Sequence, residues 1–491
     1  MLRLSDIRMQ PKLIGILLAV SLVPLAAVVT WSTQRTTESL TGAAFDQLRS
    51  LQAVKSNQIE RFFAERQGDL EVLVDTVGTI RQQGFARLEG VAENRQRRVQ
   101  EYLDRYLRGA RLLAGSEAAH DLYAGLEAYH RDTGVTDRGA YDVGTPAYAA
   151  LTADLGAPLV GSAEALGLEE VLLVCAAHGH VMYSTVPQPD VGTNLEHGPY
   201  AEGRLAALRD KVLRQGQPAV VDFAADPARG ERPTAFAGVP LIRDGKTVGI
   251  MAVRLSLGQL NALMARTDDL GASGEAYLVG PDKLMRSDSR LDPEHRSVAA
   301  SFARPAEGAV DTRAVREALA GRPGTDVVLD YRGQPVLSAW RLVELGGVRW
   351  ALVAEMDVSE AFDPVDAEGR SYWAKYAETY GYYDLFLVDE TGYVFYTVTE
   401  EADYQSNLLT GKYKDSNLGR LVQEVFGARA FGFADFAPYA PSGNRPAAFV
   451  AAPLSHGGEV ELVVALQLSL KAINRIMQER EGLGQTGQTY P

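Results

Sequence analysis

The sequence predicts an α+β protein, a long N-terminal helical stalk followed by a module of antiparallel strands and flanking helices that occurs twice. Three observations predict it. No proline lies between Pro24 and Pro146, although the chain has 22. A gapless internal match repeats one stretch further along. From about residue 170 short apolar runs alternate with Gly, Asp and Asn turn signals. The 491 residues suggest about three folded units at ~150 residues each. With 63 acidic against 49 basic residues the net charge is -14, which repels phosphate backbones and excludes nucleic acid as a partner. Cys175 is the single cysteine, so no intramolecular disulfide and no Cys-x-x-Cys motif exists.

Residues 1–12 read as a cytoplasmic N-terminus and 13–34 as a transmembrane helix. The run LIGILLAVSLVPLAAVVTW is apolar and long enough to span a bilayer. Arg3, Arg8 and Lys12 against Asp6 alone put the N-terminus on the cytoplasmic side, and everything beyond the span outside the cytoplasm, in the periplasm. Residues 35–140 form the stalk. Leu48, Leu51, Ile59, Phe62, Phe63, Leu70, Leu73, Val77 and Ile80 follow helical spacing, and Val99, Tyr102, Leu103, Tyr106, Leu107, Leu112 and Leu113 resume it. Such a stripe has to be buried, against the chain's own modules or in a homodimer through the stalk.

A shift of 213 residues superimposes 222–277 on 435–490, with about 20 of roughly 56 positions identical. Asp222/Asp435, Arg232/Arg445, Pro233/Pro446, Phe236/Phe449 and Ser256/Ser469 are among them. In the first copy strands are expected at 170–175, 180–184, 219–223, 234–242 and 247–255, with a helix over 203–214. In the second, 384–389 and 392–398 form the hairpin, 417–426 the helix, and strands follow near Phe433, Ala447 and Glu459. A strand pair, a helix and three antiparallel strands make a PAS-like half-barrel, a fold that grips small ligands between sheet and helices. Further strands at 275–279, 325–329, 335–340 and 348–355 form a separate subdomain.

The blocks LSDIRMQPKLIG, KSNQIERFFAERQGDLEVL, GTNLEHGPY, VDFAAD, RPTAFAGVPL and GEAYLVGPDKLMRSDSR together resemble the sensory half of a methyl-accepting chemotaxis protein. YGYYDLFLVDETGYVFYTV, DSNLGRLVQEVF and ADFAPYAPSGNRPAAFVAAPL resemble the same family's Cache sensor modules. The resemblance implies tandem Cache modules: a distal PAS-like subdomain at 141–270, a proximal one at 271–360, a second distal subdomain at 361–484 and the start of an incomplete proximal one at 485–491. It implies a small-molecule receptor in the cell membrane, not an enzyme, with no cofactor. A chemoreceptor would continue into a second span and a methylated coiled coil, so a partial receptor is expected. Similar sensor regions sit on histidine kinases and cyclic-nucleotide enzymes, and a membrane-tethered solute-binding protein is the remaining alternative.

Ligand-binding candidates are polar or aromatic residues where alternation calls for aliphatics. They are Tyr183, Asp222, Arg232 and Arg254 in the first copy, and Tyr396, Asp435, Arg445 and Gln467, with Tyr439 nearby, in the second. An Asp and an Arg converging on one cavity would hold the ammonium and carboxylate of a small metabolite. The bland reading is that Asp222 and Arg232 pair across a loop. His178 and His180, with His197 further on, read as a polar turn, since nothing nearby completes a metal site. Gly482, Gly484 and Gly487 match a dinucleotide fingerprint but follow a helix, and read as a turn.

Overall fold

The computed structural model describes residues 9–267, 270–366, 368–478 and 489. Residues 1–8, the glycine-rich turn at 482–487 and the expected start of a further subdomain at 485–491, Thr489 apart, lie outside them. The protein is α+β. A single helix runs from Met9 to Ala114, continuing through Pro24. Its first apolar stretch, long enough to cross a membrane, is wholly exposed. The stripe is buried from Phe62 onward, at Leu70, Leu73, Val77, Val99, Leu103 and Tyr106, whereas Leu48 and Leu112 are exposed. Leu112 precedes buried Leu113 by the ~100° that separates neighbours on a helix, which turns it to solvent.

The chain divides into two compact units, Met1–Thr76 with Tyr372–Pro491, and Val77–Ser371. In the Val77–Ser371 unit, Ser116 caps a helix over Glu117–Thr133 by accepting from the Ala119 amide, and Gly134 ends it at φ 64°, where a side chain would be strained. Strands β1 (Val171–Cys175), β2 (Val181–Ser184), β3 (Ala219–Asp226), β4 (Arg232–Arg243) and β5 (Lys246–Arg254) form a sheet in the order β2-β1-β5-β4-β3. Leu172, Val174, Val181 and Ala252 face the helix Arg204–Gln215, whose Leu205, Leu208 and Val212 complete that core. A second sheet of β6 (Glu275–Val279), β7 (Gly324–Leu329), β8 (Pro335–Leu345) and β9 (Val348–Asp357) runs β6-β9-β8-β7. Tyr277, Trp340 and Val353 pack there with Val298 and Val315.

In the other unit, β10 (Tyr382–Asp389), β11 (Val394–Thr397), β12 (Gly432–Tyr439), β13 (Arg445–His456) and β14 (Glu459–Leu468) reproduce the first topology as β11-β10-β14-β13-β12. The agreement extends to register. Phe236 pairs with Arg254 as Phe449 does with Gln467, and the ladder slips after Leu241 and after Leu454 alike. The helix Asn417–Ala428 covers the core around Phe386, Val394, Leu421 and Phe449. The N-terminal helix packs on this module: Phe63 meets Phe433 edge-on with ring centroids 4.8 Å apart, and Arg66 lies over the ring of Tyr382.

Candidate functional site

At one end of the first sheet six charged side chains form a closed cluster. The 3-10 turn Pro227–Arg229 carries Arg229 inward, where it donates to Glu170 at 2.6 Å and to Asp190 at 2.6 Å and lies 3.6 Å from Asp226. Arg254, at the end of β5, donates to Glu170 at 2.8 Å and to Glu169 at 3.2 Å. Glu170, Asp190 and Asp226 are almost wholly buried. Burial pushes the Asp226 carboxyl above its ordinary value while the Arg229 charge pulls it back. The cluster pairs its charges among themselves, although Asp190 Oδ1, Asp226 Oδ2 and Arg229 Nε are buried without a hydrogen-bond partner.

The second module has the same positions, with an aspartate kept at one of them and different residues at the others. Asp403, Tyr439, Ser442 and Gln467 stand 213 residues after Asp190, Asp226, Arg229 and Arg254, and Asp384, opposite Gln467, takes the place of Glu170. Both arginines are gone. Asp384 is wholly buried and accepts from the Leu385, Val398 and Thr399 amides and the Thr397 and Thr399 hydroxyls. Burial nevertheless pushes its carboxyl up to about 6. Asp403, raised by the same cause, accepts from the Tyr439 hydroxyl at 2.5 Å on one oxygen, while its other oxygen is buried without a partner. Among the described residues no arginine or lysine pairs with either carboxylate.

Beside this cluster opens a cavity of about 460 Å³, lined by Tyr382, Tyr383, Ser442, Arg445, Gln467 and Lys471 among others. Gln467 is buried and its Oε1 has no hydrogen-bond partner. Ser442 donates to Glu401 at 2.5 Å, Tyr383 donates to the other Glu401 oxygen at 2.7 Å, and Arg445 donates to the Tyr383 hydroxyl at 2.8 Å. The inner end of the cavity is therefore acceptor-rich, with acidic groups behind it, and Arg445 and Lys471 stand at its rim. Tyr382 ties the wall to the N-terminal helix. Its hydroxyl accepts from Arg66 at 3.1 Å and donates to Asp69 at 2.9 Å.

The residues expected to bind ligand are dispersed. Asp222 and Arg232 neither converge on a cavity nor pair across a loop. Asp222 receives two bonds from buried Arg286, both 2.8 Å, and one from the Trp350 indole at 2.8 Å, so it clamps the first sheet to the β6-β9-β8-β7 sheet. Arg232 is exposed. Asp435, the counterpart of Asp222, is exposed and accepts from its neighbouring Phe436 amide. Tyr183 and Tyr396 are buried opposite Leu173 and Leu387, on the sheet faces turned away from the helices Arg204–Gln215 and Asn417–Ala428. Arg254 belongs to the closed cluster, while Arg445 and Gln467 line the cavity and Tyr439 sits behind it. Glu170, Asp190, Arg229, Asp384, Asp403 and Ser442 were not among the candidates, because they lie in turns or near strand ends, where alternation gives no signal. Near the first sheet, His178 and His180 are joined by His130 and not by His197.

A model of the GAF domain matches residues 159–261, the span of the first five-stranded sheet with its flanking helices. Among curated proteins no sequence matches the chain. Solved structures similar in part include three sensor domains. The ligand-binding domain of the Pseudomonas fluorescens chemoreceptor CtaA with L-isoleucine is 17% identical, covering 58% of this chain and 97% of that one, with a TM-score of 0.36. The periplasmic sensory domain of the Campylobacter jejuni chemoreceptor Tlp1 is 10% identical over 58% and 99%, with a TM-score of 0.39. The sensor domain of the V. cholerae histidine kinase DctB is 10% identical over 56% and 98%, with a TM-score of 0.38.

Proposed function

We propose that this chain is the extracytoplasmic, small-molecule-sensing region of a transmembrane receptor of the chemoreceptor type, and that the cavity at Tyr383, Ser442, Arg445 and Gln467 is its ligand site. The observation that supports this reading is the exchange between copies. Arg229 and Arg254 fill the first module's polar cluster from within, whereas Ser442 and Gln467 leave the equivalent cluster without a cation beside an open cavity. A ligand supplies the absent charge. Its amine or guanidine head points inward to Gln467 Oε1 and the acidic groups behind, and a carboxylate, where present, points outward to Arg445 and Lys471. Tyr439 acts behind the cavity through Asp403.

The output runs through Tyr382. Because it lines the cavity and bonds to Arg66 and Asp69, a ligand that favours one arrangement of this wall biases the helix that leads toward residues 13–34. It shifts that equilibrium only by its differential affinity for the two states. The exposed apolar run at 13–31 crosses the cell membrane with the N-terminus in the cytoplasm and the modules in the periplasm. Leu40, Phe45 and Leu48, exposed on the stalk, are the contacts of a homodimer.

The test is a thermal-shift panel on the full chain in detergent, with agmatine, L-arginine, GABA and succinate as probes. At least one of the three nitrogenous probes raises the melting temperature, since a ligand at a hundredfold excess over its Kd stabilises by about 2.7 kcal/mol. A response to succinate alone would overturn the assignment of ligand charge.

A further inference from the structure

Three of the chain's seven histidines meet beside the first sheet, where the ligand reading has no use for them. His130 comes from the last turn of the helix Glu117–Thr133, and His178 and His180 from the turn between β1 and β2, with Gly179 between them at φ 74°. Their candidate ligand nitrogens all lie within 4.8 Å of one another. The ring centroids of His130 are 5.6 Å from His178 and 4.9 Å from His180.

The polar contacts around the rings are compatible with metal ligation. His180 Nε2 lies 3.0 Å from the Gly139 carbonyl, which fixes the proton there and leaves Nδ1 with its lone pair. His178 Nε2 lies 3.4 Å from the Asp137 carboxylate, the outer-shell partner that orients a coordinating imidazole. His130 Nε2 is buried with no hydrogen-bond partner. A cavity of about 560 Å³ adjoins all three rings and also reaches Cys175, Glu127 and Met182.

The fold does not require these residues. The second module makes the same turn and the same bridge, Tyr393 to Asn407 in place of His180 to Asn194, with Thr391 and Tyr393 where the first has His178 and His180. Asn407 donates to the Thr391 carbonyl as Asn194 does to that of His178. Histidine at these positions therefore answers to something other than the backbone.

We infer that His130, His178 and His180 form a three-histidine site for a divalent transition metal, zinc being the best match, with a fourth position open to the adjoining cavity. Three neutral imidazoles and an open position suit Zn²⁺, whose Zn–N distances are about 2.0–2.1 Å. Nitrogens on a tetrahedral zinc lie roughly 3.4 Å apart by that geometry, so the rings close by on the order of 1 Å. His178, on the turn, is the ring free to supply that movement. The site is separate from the amine-binding cavity and does not depend on it.

The experiment is metal titration of the full chain, purified without a histidine tag and stripped with chelator, using ZnCl₂ by calorimetry and CoCl₂ by visible absorption. One equivalent binds, and cobalt gives the intense d–d bands of a tetrahedral site. His130→Gln and His180→Gln each weaken zinc by more than the 10–100-fold that loss of an outer-shell partner costs, and Asp137→Ala falls within that range. His120→Gln and His197→Gln, whose rings are outside the cluster, leave binding unchanged. Circular dichroism confirms that each variant is folded, and His178→Gln, on the half-exposed turn, repeats the test where a buried change would disturb packing. Absence of stoichiometric binding to the wild type, or zinc affinity unchanged in folded His130→Gln and His178→Gln, overturns the site.

Discussion

Arg229→Ala lowers the stability of the Val77–Ser371 unit by about 3–5 kcal/mol, the cost of leaving buried charges without their partner. Arg229 is the group on which Glu170, Asp190 and Asp226 converge, and Arg254 reaches only Glu170 among these. Truncation strands Asp190 and Asp226, both almost wholly buried. Urea denaturation at pH 7 measures the loss. The deficit narrows in acid, where the stranded carboxylates take up protons. A cost below about 1 kcal/mol at pH 7 would mean that the cluster is not held by its arginine, and the contrast between the modules would lose its physical basis.

The second large effect belongs to Glu355, on β9. It is buried, accepts from Tyr277 at 2.9 Å and from Ser338 at 3.0 Å, and faces Glu275 across the β6–β9 ladder. Burial, with Asp330 and Glu275 adding like charge, pushes its carboxyl up to about 8. The folded state therefore keeps a proton that the unfolded chain releases near pH 4.5. This contribution to stability is complete below about pH 4 and is lost as pH rises toward 8. Relative to Glu355→Gln, which keeps the neutral shape and cannot titrate, the wild type loses on the order of 3–5 kcal/mol across that window. Parallel pH–stability curves for the two proteins would show that Glu355 is ionised in the fold.

Much of the architecture was legible because it is written in local patterns. The proline-free stretch became one helix to Ala114, and most expected strands fall within a few residues of those observed. The repeat reaches further back than residue 222. Asn194 and Asn407 hold equivalent turns, and Gly216 and Arg429 both end their helices at positive φ, 61° and 54°. A gapless comparison loses this correspondence at β1 and β10, where the shift becomes 214 residues.

The site was harder to read, and for a different reason. Asp222 has the composition of a ligand-binding residue, but its partner Arg286 lies 64 residues further on, a pairing that no local pattern encodes. The same holds for His130 and the turn that it meets. Arg229 and Ser442 escaped because both sit in turns, outside any strand alternation, although an arginine in one copy and a serine in the other is where a closed module becomes an open one. A comparison of copies for charge lost would have found Ser442, where the first copy has Arg229, and through it the acidic groups that it leaves without a cation.

That contrast is tested most directly by exchanging the residue that closes the cavity. Calorimetric titration of wild type, Gln467→Arg and Arg254→Gln with the nitrogenous probe that gives the largest thermal shift compares the two modules in one experiment. In Gln467→Arg the new guanidinium stands over Asp384 as Arg254 stands over Glu170, so binding falls at least ~100-fold, a loss of about 2.7 kcal/mol. Arg254→Gln binds as the wild type does. Retained affinity in a folded Gln467→Arg, or loss of binding in Arg254→Gln alone, would place the ligand outside the second module's cavity and contradict the account.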